Sequence, residues 1–174
     1  MACSADSRCR ESARVVIYIG IDPGLSGGIA TLGDDSKQVT VRPMPVAGGQ
    51  IDARAVADLV WGAALTHGDT AIAVMEKVGA MPKQGVVSTF RFGQGYGTIL
   101  GVLGALGIRC ELVTPQRWKA AILAGTARDK AAAIAWCRRA YPGVPLRRTE
   151  RCTTDHDGMA DALCLAEYGR RSFT

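Results

Sequence analysis

The sequence predicts one α/β domain with a mixed sheet, and three observations carry this prediction. The chain has 174 residues, which suits a single compact domain. Short β-branched apolar runs alternate with longer segments whose apolar residues recur at helical spacing. The order of these segments is β-β-β-α-β-α-β-α-α, so an antiparallel meander comes first and strand–helix–strand units follow it.

The five predicted strands are short apolar segments bounded by turn residues. Asp22-Pro23-Gly24 closes the first strand, and Gly33-Asp34-Asp35-Ser36 separates the second from the third. The first three strands therefore form the meander. The predicted strands cover residues 15–21, 28–32, 38–42, 70–75 and 108–113.

The predicted helices are identified by their caps and apolar stripes. Asp52 caps the first helix, in which Val56 and Val60 share one face. Pro115 stands at the first position of a short helix that holds Trp118. Residues 77–97 are rich in glycine and polar residues, so we expect a loop there. The other helices cover residues 98–106, 128–141 and 156–168, and an exposed basic loop covers 142–151.

The composition argues against several classes of protein. Hydrophobic residues make up 48% and charged residues 21%, which is typical of a folded domain and not of a disordered chain. No apolar run reaches the roughly 18 residues that a membrane span requires. The six cysteines form no C-x-x-C pair and there are two histidines, so we expect neither a zinc site nor a secreted disulfide scaffold. Residues 1–13 are polar, and we expect a disordered leader or targeting remnant before a domain over 14–174.

The positive charge is concentrated in the last third of the sequence. The net charge is +5; residues 1–108 carry nine basic and nine acidic side chains, whereas residues 109–174 carry twelve and seven. This asymmetry favours a phosphate-rich partner over a small metabolite. The arginines that contribute most are Arg138, Arg139, Arg147, Arg148 and Arg151.

Two apolar strands each deliver a carboxylate at the C-terminal end, where open α/β sheets bind ligands. These are Asp22 and Glu76. Asp157 and Asp161 are four residues apart on the last predicted helix, so they lie one turn apart on one face. Four converging carboxylates repel one another, and divalent cations with hard oxygen ligands, Mg²⁺ or Mn²⁺, relieve the repulsion. Two such ions about 4 Å apart are typical of phosphodiester hydrolysis, so the pattern indicates a nuclease.

Simpler interpretations stand beside this one for each residue. Asp22 fits a turn former, and Glu76 fits a surface ion pair with Lys77. The acids that begin the last helix fit interactions with the free amides and the helix dipole. His156 fits a metal ligand, a proton shuttle or a solvated side chain. The joint arrangement favours the metal site.

The motifs around these acids resemble those of RuvC-like Holliday junction resolvases. YIGIDPGLSGGIA, which contains Asp22, resembles the family's first strand and turn, and AVMEK, which ends after Glu76, resembles its second acidic strand. HDGMADAL resembles the closing helix motif. The phage and chloroplast branch, including plastid resolvases of the monokaryotic chloroplast type, is similar in three further segments: MPKQG, STFRFG with the following YG, and TPQRWK.

The resemblance implies an RNase H-like fold, a homodimer, and paired nicking of four-way DNA junctions with Mg²⁺, for which Mn²⁺ can substitute. It implies no membrane and no nucleotide cofactor. The positions that match the family's catalytic metal-binding acids are Asp22, Glu76, Asp157 and Asp161. In many bacterial relatives the last two ligands are three residues apart instead of four, so His156 competes with Asp157 as the third ligand and is a candidate catalytic assistant. The branch and the polar leader favour the chloroplast nucleoid over a bacterial or phage-infected cytoplasm.

The segment that follows Glu76 predicts contacts with DNA. An aromatic side chain there can stack on an unpaired base while cations hold phosphates. The alternative for Phe90 and Phe92 is a place in the core. The candidate DNA-binding residues are Lys77, Lys83, Gln84, Phe90, Arg91, Phe92, Arg117, Lys119 and Lys130.

Three other functions compete with junction cutting as interpretations of this sequence. An actin-like or sugar-kinase-like ATPase shares the first hairpin but needs a second phosphate loop and a second subdomain, for which this sequence is too short. A non-cutting architectural DNA-binding protein on the same fold has no need of four carboxylates beside bound phosphates. A nuclease for duplex, flap or RNA–DNA hybrid substrates also fits the acids, but the aromatic, glycine-rich segment favours a branched substrate.

Overall fold

The computed structural model describes residues 16–66, 70–79 and 85–173, so the leader predicted over 1–13 lies outside the described residues. The main strands are β1 (Ile17–Asp22), β2 (Gly28–Gly33), β3 (Val39–Pro43), β6 (Ala71–Glu76) and β7 (Arg109–Val113), and a small hairpin consists of β4 (Val46–Ala47) and β5 (Gln50–Ile51). The helices are α1 (Ala53–Thr66), α2 (Val86–Ala105), α3 (Pro115–Ile122), α4 (Lys130–Ala140) and α5 (Asp157–Phe173). None of these helices is long and apolar enough to cross a bilayer.

The main sheet is mixed and has the strand order β3-β2-β1-β6-β7. β2 pairs antiparallel with both β1 and β3, whereas β6 runs parallel to β1 and to β7. This confirms the predicted α/β fold with five strands and an antiparallel meander at one side. Ile21 pairs with Met75, so the next residues of the two strands, Asp22 and Glu76, end at the same edge of the sheet.

The two faces of the sheet bury two separate cores because side chains alternate along each strand. Ile19 and Ile21 of β1 belong to the core beneath α1 and α2. Val74 of β6 belongs to the opposite core, which α3, α4 and α5 cover. Asp22 and Glu76 have the same parity as the residues that face α5, so the sheet presents both carboxylates on the α5 side.

Glycines allow α5 to lie unusually close to β1 and to the β1–β2 turn. A Cβ atom on Gly20 would overlap the carbonyl oxygen of Ala162, and one on Gly158 would overlap the backbone of Ser26 and Gly27. A Cβ atom on Gly28 would lie 2.8 Å from the carbonyl oxygen of Gly158. This close backbone approach brings the first turns of α5 next to the end of β1.

The loop predicted over 77–97 is wrong for most of its length. α2 begins at Val86, not at residue 98, and continues for 20 residues although it contains five glycines. Each glycine disfavours a helix by about 1 kcal/mol relative to alanine. Burial of Ile99 and Leu103 in the core beneath α1 and α2 opposes this penalty, because packing supplies most helix stability in proteins.

The other predicted elements differ from the observed ones in smaller ways. The Asp52 cap is confirmed, since the amide of Ala55 donates to its Oδ1 at 3.0 Å. α5 continues to Phe173, five residues beyond the predicted end. The β4–β5 hairpin was not predicted, and its turn residues Gly48 and Gly49 both have positive φ, as a two-residue hairpin turn requires.

Candidate active site

Three half-buried carboxylates face one another at the edge of the sheet where β1 and β6 end. Asp22 ends β1, Glu76 ends β6, and Asp161 lies in the second turn of α5. Asp161 and Glu76 are the strongest negative neighbours of Asp22, and Asp157 acts on it more weakly. The structure thus brings together the four acids that the sequence predicted.

Burial and repulsion together perturb the ionisation of Asp22. Burial, reinforced by the charges of Asp161 and Glu76, raises the pKa of Asp22 from 3.8 to about 7. A hydrogen bond from the backbone of Gly24 opposes this rise. The surrounding protein therefore disfavours the charged form of Asp22.

Asp161 also has a raised pKa, and one of its oxygens has no hydrogen-bond partner. Burial, with the charges of Glu76 and Asp157, raises the pKa of Asp161 to about 6, although the ammonium of Lys119 lowers it. Its Oδ1 is buried and has no hydrogen-bond partner. A buried polar oxygen without a partner is uncommon in folded proteins, and one explanation for it is a bound ion.

The donor set fits a hard divalent cation. All the uncompensated groups are carboxylate oxygens, which Mg²⁺ and Mn²⁺ prefer. In the described part of the chain, no group of three or more Asp, Glu, His or Cys side chains is placed so that it could hold a metal ion. The indication of a cation therefore comes from the charge balance of the acids and from the unpaired Oδ1 of Asp161.

Asp157 differs from the other acids because it already has a cationic partner. Lys130, in the first turn of α4, donates a hydrogen bond to Oδ2 of Asp157. This bond lowers the pKa of Asp157, whereas the pKa of Asp161 is raised. Lys130, predicted as a phosphate contact, is therefore found beside the acids.

His156 directly precedes α5, and Nδ1 of its ring is engaged in a hydrogen bond. Burial lowers the pKa of His156, which favours the neutral imidazole. Nδ1 accepts a hydrogen bond from the amide of Met159 at 3.2 Å, so the proton of the neutral ring belongs on Nε2. Neither nitrogen then has a free lone pair for a metal. This geometry is that of a half-buried residue at the start of a helix.

Glu76 has a partner that sequence reasoning missed. Nε1 of Trp118 donates to Oε2 of Glu76 at 2.9 Å, and no ion pair between Glu76 and Lys77 is found among the described residues. The order of the strands in the sheet could have indicated that Trp118 lies near Glu76. β7 lies beside β6 with Val113 opposite Glu76, so the helix that follows β7 must begin next to Glu76.

Cationic side chains border the acids on the side of α3 and α4. Lys119 lies close enough to lower the pKa of Asp161, and its Nζ lies 5.2 Å from the centre of the Trp118 ring. Arg148 and Lys130 both lower the pKa of His156. We call Lys119, Lys130 and Arg148 the cationic rim. Arg148 lies in the basic loop, which the sequence identified without assigning this residue to the site.

The loop that carries Arg148 is fixed to α4 by an ion pair. Nε and Nη2 of Arg138 each donate to Asp155 at 2.6 Å, and Arg147 lies 3.9 Å from the same carboxylate. Asp155 is thus engaged by arginines. The bidentate geometry holds the end of the loop directly before the acids of α5.

The predicted aromatic contacts lie on α2 and not on a loop. Phe90 is 72% exposed, so a place in the core is wrong for it. Phe92 is half-buried, and its ring stacks with that of Tyr96 at 6.4 Å between centroids. Arg91 and Phe92 line a groove of about 470 Å³ against the turn that follows Asp22. None of the four acids lines this groove.

The remaining predicted DNA contacts are more dispersed. Lys77 directly follows Glu76 and is exposed, and Arg117 is exposed on α3. Lys83 and Gln84 lie outside the described residues. The structure therefore gathers Lys119 and Lys130 around the acids and places Arg91 and Phe92 at the groove, while Phe90 is exposed outside its lining.

The whole fold is similar to solved structures of RuvC from Thermus thermophilus. One, the T. thermophilus RuvC structure, has a TM-score of 0.55 and 18% sequence identity, over 89% of this chain and 95% of that chain. Another, T. thermophilus RuvC in complex with Holliday junction substrate, has a TM-score of 0.56 and 16% identity, over 91% and 97%. No family model and no curated protein sequence matches this chain. The mixed five-stranded sheet and its flanking helices thus form an RNase H-like fold of the RuvC type.

Proposed function

We propose that this chain is a metal-dependent endonuclease that resolves four-way DNA junctions. The observation that carries the proposal is the cluster of mutually repelling carboxylates Asp22, Glu76 and Asp161 at the edge of the sheet. A protein that only binds DNA gains nothing from buried acids beside phosphates, because like charges repel. A nuclease uses them to hold cations against the scissile phosphate.

The cation that we propose is Mg²⁺, with Mn²⁺ able to replace it. A bound divalent cation supplies a Lewis acid that neutralises charge on the phosphate and lowers the pKa of water. Asp22, Glu76 and Asp161 would hold it, with Asp157 as the fourth acid. Asp157 suits this role better than His156, because Nδ1 of His156 accepts a hydrogen bond from the amide of Met159, which leaves the proton of the neutral ring on Nε2.

The protein's own residues account for binding and orientation of the phosphate. β1, β6 and α5 fix the carboxylates on rigid elements, which preserves their mutual geometry. Lys119 and Lys130 lie beside the acids and can contact phosphate oxygens. Lys130 is placed to neutralise either Asp157 or a phosphate, so binding of DNA and cation redistributes one positive charge within the site.

A four-way junction is the substrate class that the surroundings favour. Phe90 is a large, 72% exposed aromatic on α2, the helix that lines the groove through Arg91 and Phe92, and it can stack on an unpaired base. A neighbour in fold, T. thermophilus RuvC, was solved in complex with a Holliday junction substrate. We propose that two copies of the chain act as a C₂ dimer, since a near-symmetric junction requires two equivalent cuts. The phage and chloroplast branch and a chloroplast location are further proposals that rest on the sequence motifs.

Cleavage of an end-labelled synthetic junction tests the proposal. The protein is incubated with a four-way junction or a matched linear duplex in Mg²⁺, and the Asp22→Asn variant is the control. We expect symmetric nicks on opposing strands of the junction only, and loss of cutting with retained binding in the variant. Cutting that survives Asp22→Asn contradicts the role of this acid. A strict monomer with and without DNA contradicts coordinated cutting.

A second candidate function, a non-cutting junction-binding protein, draws on the cationic rim. Lys119, Lys130 and Arg148 would bind phosphates whether or not the acids hold a cation. Tight binding of the junction without cutting in either Mg²⁺ or Mn²⁺ would favour this candidate. The same cleavage experiment therefore separates the two functions.

A further inference from the structure

We propose that Trp118 is a positioning residue whose indole N–H fixes the carboxylate of Glu76 for cation binding. The inference rests on the proposed function and adds a residue that touches neither cation nor DNA. Its basis is the hydrogen bond of 2.9 Å between Nε1 of Trp118 and Oε2 of Glu76.

Trp118 is itself immobilised by its surroundings. The side chain is 0% exposed and belongs to the core between the sheet and α3, α4 and α5. Pro115 begins its helix directly after β7, and Val113 of β7 lies opposite Glu76 in the sheet. The donor is therefore held by packing and by sheet register, and does not depend on Glu76 for its place.

Glu76 is the acid that most needs such a partner. A glutamate has three side-chain torsions, one more than an aspartate, and it therefore loses more rotamer freedom when it is fixed. A hydrogen bond to Oε2 restrains these torsions and leaves Oε1 for a cation. Outer partners of metal-binding groups act in this way and affect metal affinity strongly.

The chemical nature of the donor also matters. Indole is a donor without charge, so it orients Glu76 and leaves the negative charge in place. Lys130 acts differently on Asp157, because its ammonium neutralises the carboxylate that it binds. The site thus pairs one acid with a neutral donor and another with a cation, and we infer that Glu76 is kept ready for a metal.

The test measures cation affinity in the absence of DNA. Mn²⁺ binding to the wild-type protein and to Trp118→Phe is followed by calorimetry, with thermal unfolding as a check of the fold. Loss of the N–H should raise the dissociation constant for Mn²⁺ roughly 10- to 100-fold. Trp136→Phe is the matched control, since Trp136 is a buried tryptophan that packs on Tyr141, and it should bind Mn²⁺ as the wild type does.

A double-mutant cycle separates positioning from a general structural role. Trp118→Phe should cause little further loss of Mn²⁺ affinity when Glu76 is already Gln, because Trp118 is proposed to act on the cation only through the carboxylate that Gln lacks. An unchanged affinity in Trp118→Phe, or an equal further loss in the Glu76→Gln background, overturns the inference. In either case a wild type that binds Mn²⁺ and cuts the junction leaves the proposed function standing, whereas a wild type that binds no Mn²⁺ overturns both.

A second measurement applies if Trp118→Phe does not fold. The indole N–H resonance of Trp118 is identified in the wild-type protein with Trp61→Phe and Trp136→Phe, and its shift is compared with that in Glu76→Gln. We expect the Trp118 resonance to move in Glu76→Gln and on addition of Mg²⁺. A resonance that moves in neither case overturns the inference.

Discussion

At the scale of single residues, the acids of the candidate site lower the stability of the folded protein. Asp22 and Asp161 are half-buried, repel each other and have raised pKa values. Burial of unneutralised charge opposes folding. A bound cation would remove this repulsion, and for this reason we propose that the site holds one.

The raised pKa of Asp22 predicts how the free energy of unfolding depends on pH in the absence of divalent cations. The pKa of Asp22 is about 7 in the folded protein and near 3.9 in an unfolded chain, so the folded state binds more protons between these values. The free energy of unfolding should therefore fall as pH rises from about 4 to about 7. Urea unfolding with EDTA across this range measures the slope.

The Asp22→Asn variant should show a shallower slope. It should also be more stable than the wild type at pH 8 without metal, on the order of 2 kcal/mol. Mg²⁺ should narrow this difference by stabilising the wild type. Asp58→Asn, at an exposed residue paired with Arg54, is the control and should leave the slope unchanged. A wild type that becomes more stable over the same pH range contradicts the prediction.

Lys130 predicts opposite effects on cation binding and on cutting. Lys130→Met removes the ammonium that competes with a cation for Asp157, so the affinity for Mg²⁺ or Mn²⁺ should rise. The same change removes a candidate phosphate contact, so the cutting rate at saturating Mg²⁺ should fall, roughly 100-fold. Calorimetry and single-turnover cleavage measure the two effects. If affinity and rate fall together, Lys130 supports the fold and not the chemistry.

At the scale of elements, α5 decides whether the site exists. It contributes Asp157 and Asp161, and glycine contacts place it against β1. Gly20→Ala would drive a methyl group into the carbonyl of Ala162, and such overpacking destabilises proteins by about 1–3 kcal/mol. Because the helix must move away, we also expect weaker binding of Mn²⁺.

Denaturant unfolding and Mn²⁺ calorimetry test the role of this contact. Gly101→Ala on α2 is the matched control, since a Cβ atom there meets nothing within 4 Å. It should keep the Mn²⁺ affinity and gain up to about 1 kcal/mol from helix propensity. Equal stability of Gly20→Ala and the wild type would show that α5 does not need this close approach.

The elements also show what sequence can predict. The strands and the two acids that end them were predictable, because burial on both faces leaves continuous apolar runs and a carboxylate that interrupts them is conspicuous. The start of α2 was not predictable, since glycines are typical of loops and only packing against the core makes this segment helical. Trp118 and Arg148 were missed as site residues because their closeness to Glu76 and His156 arises from tertiary packing, which no local pattern records.

At the scale of the whole molecule, part of the excess positive charge of residues 109–174 lies beside the acids of the candidate site. The cationic rim brings Arg148 of the basic loop to the same side as the acids, while the loop is tied to α4 through Asp155. Basic residues that contact DNA phosphates release counterions, so binding weakens with salt. Each lost contact reduces, by about 0.9, the magnitude of the slope of the logarithm of the binding constant against the logarithm of the salt concentration.

Arg148→Gln should therefore lower the salt slope for junction binding by about 0.9. The measurement uses the Asp22→Asn background, so that the DNA stays intact, and a titration of monovalent salt. Arg54→Gln on α1 is the control, because Arg54 is exposed and pairs with Asp58 away from the rim. An equal slope in both variants would remove Arg148 from the DNA-binding surface.

The packing of α5 on β1 joins segments that are more than a hundred positions apart in the sequence. Long sequence separation delays such contacts during folding. A chain emerging from the ribosome therefore carries Asp22 and Glu76 long before Asp161, and its open sheet face is a surface on which chaperones bind. We expect the proposed cutting activity to be absent from the growing polypeptide and to appear only when this helix docks.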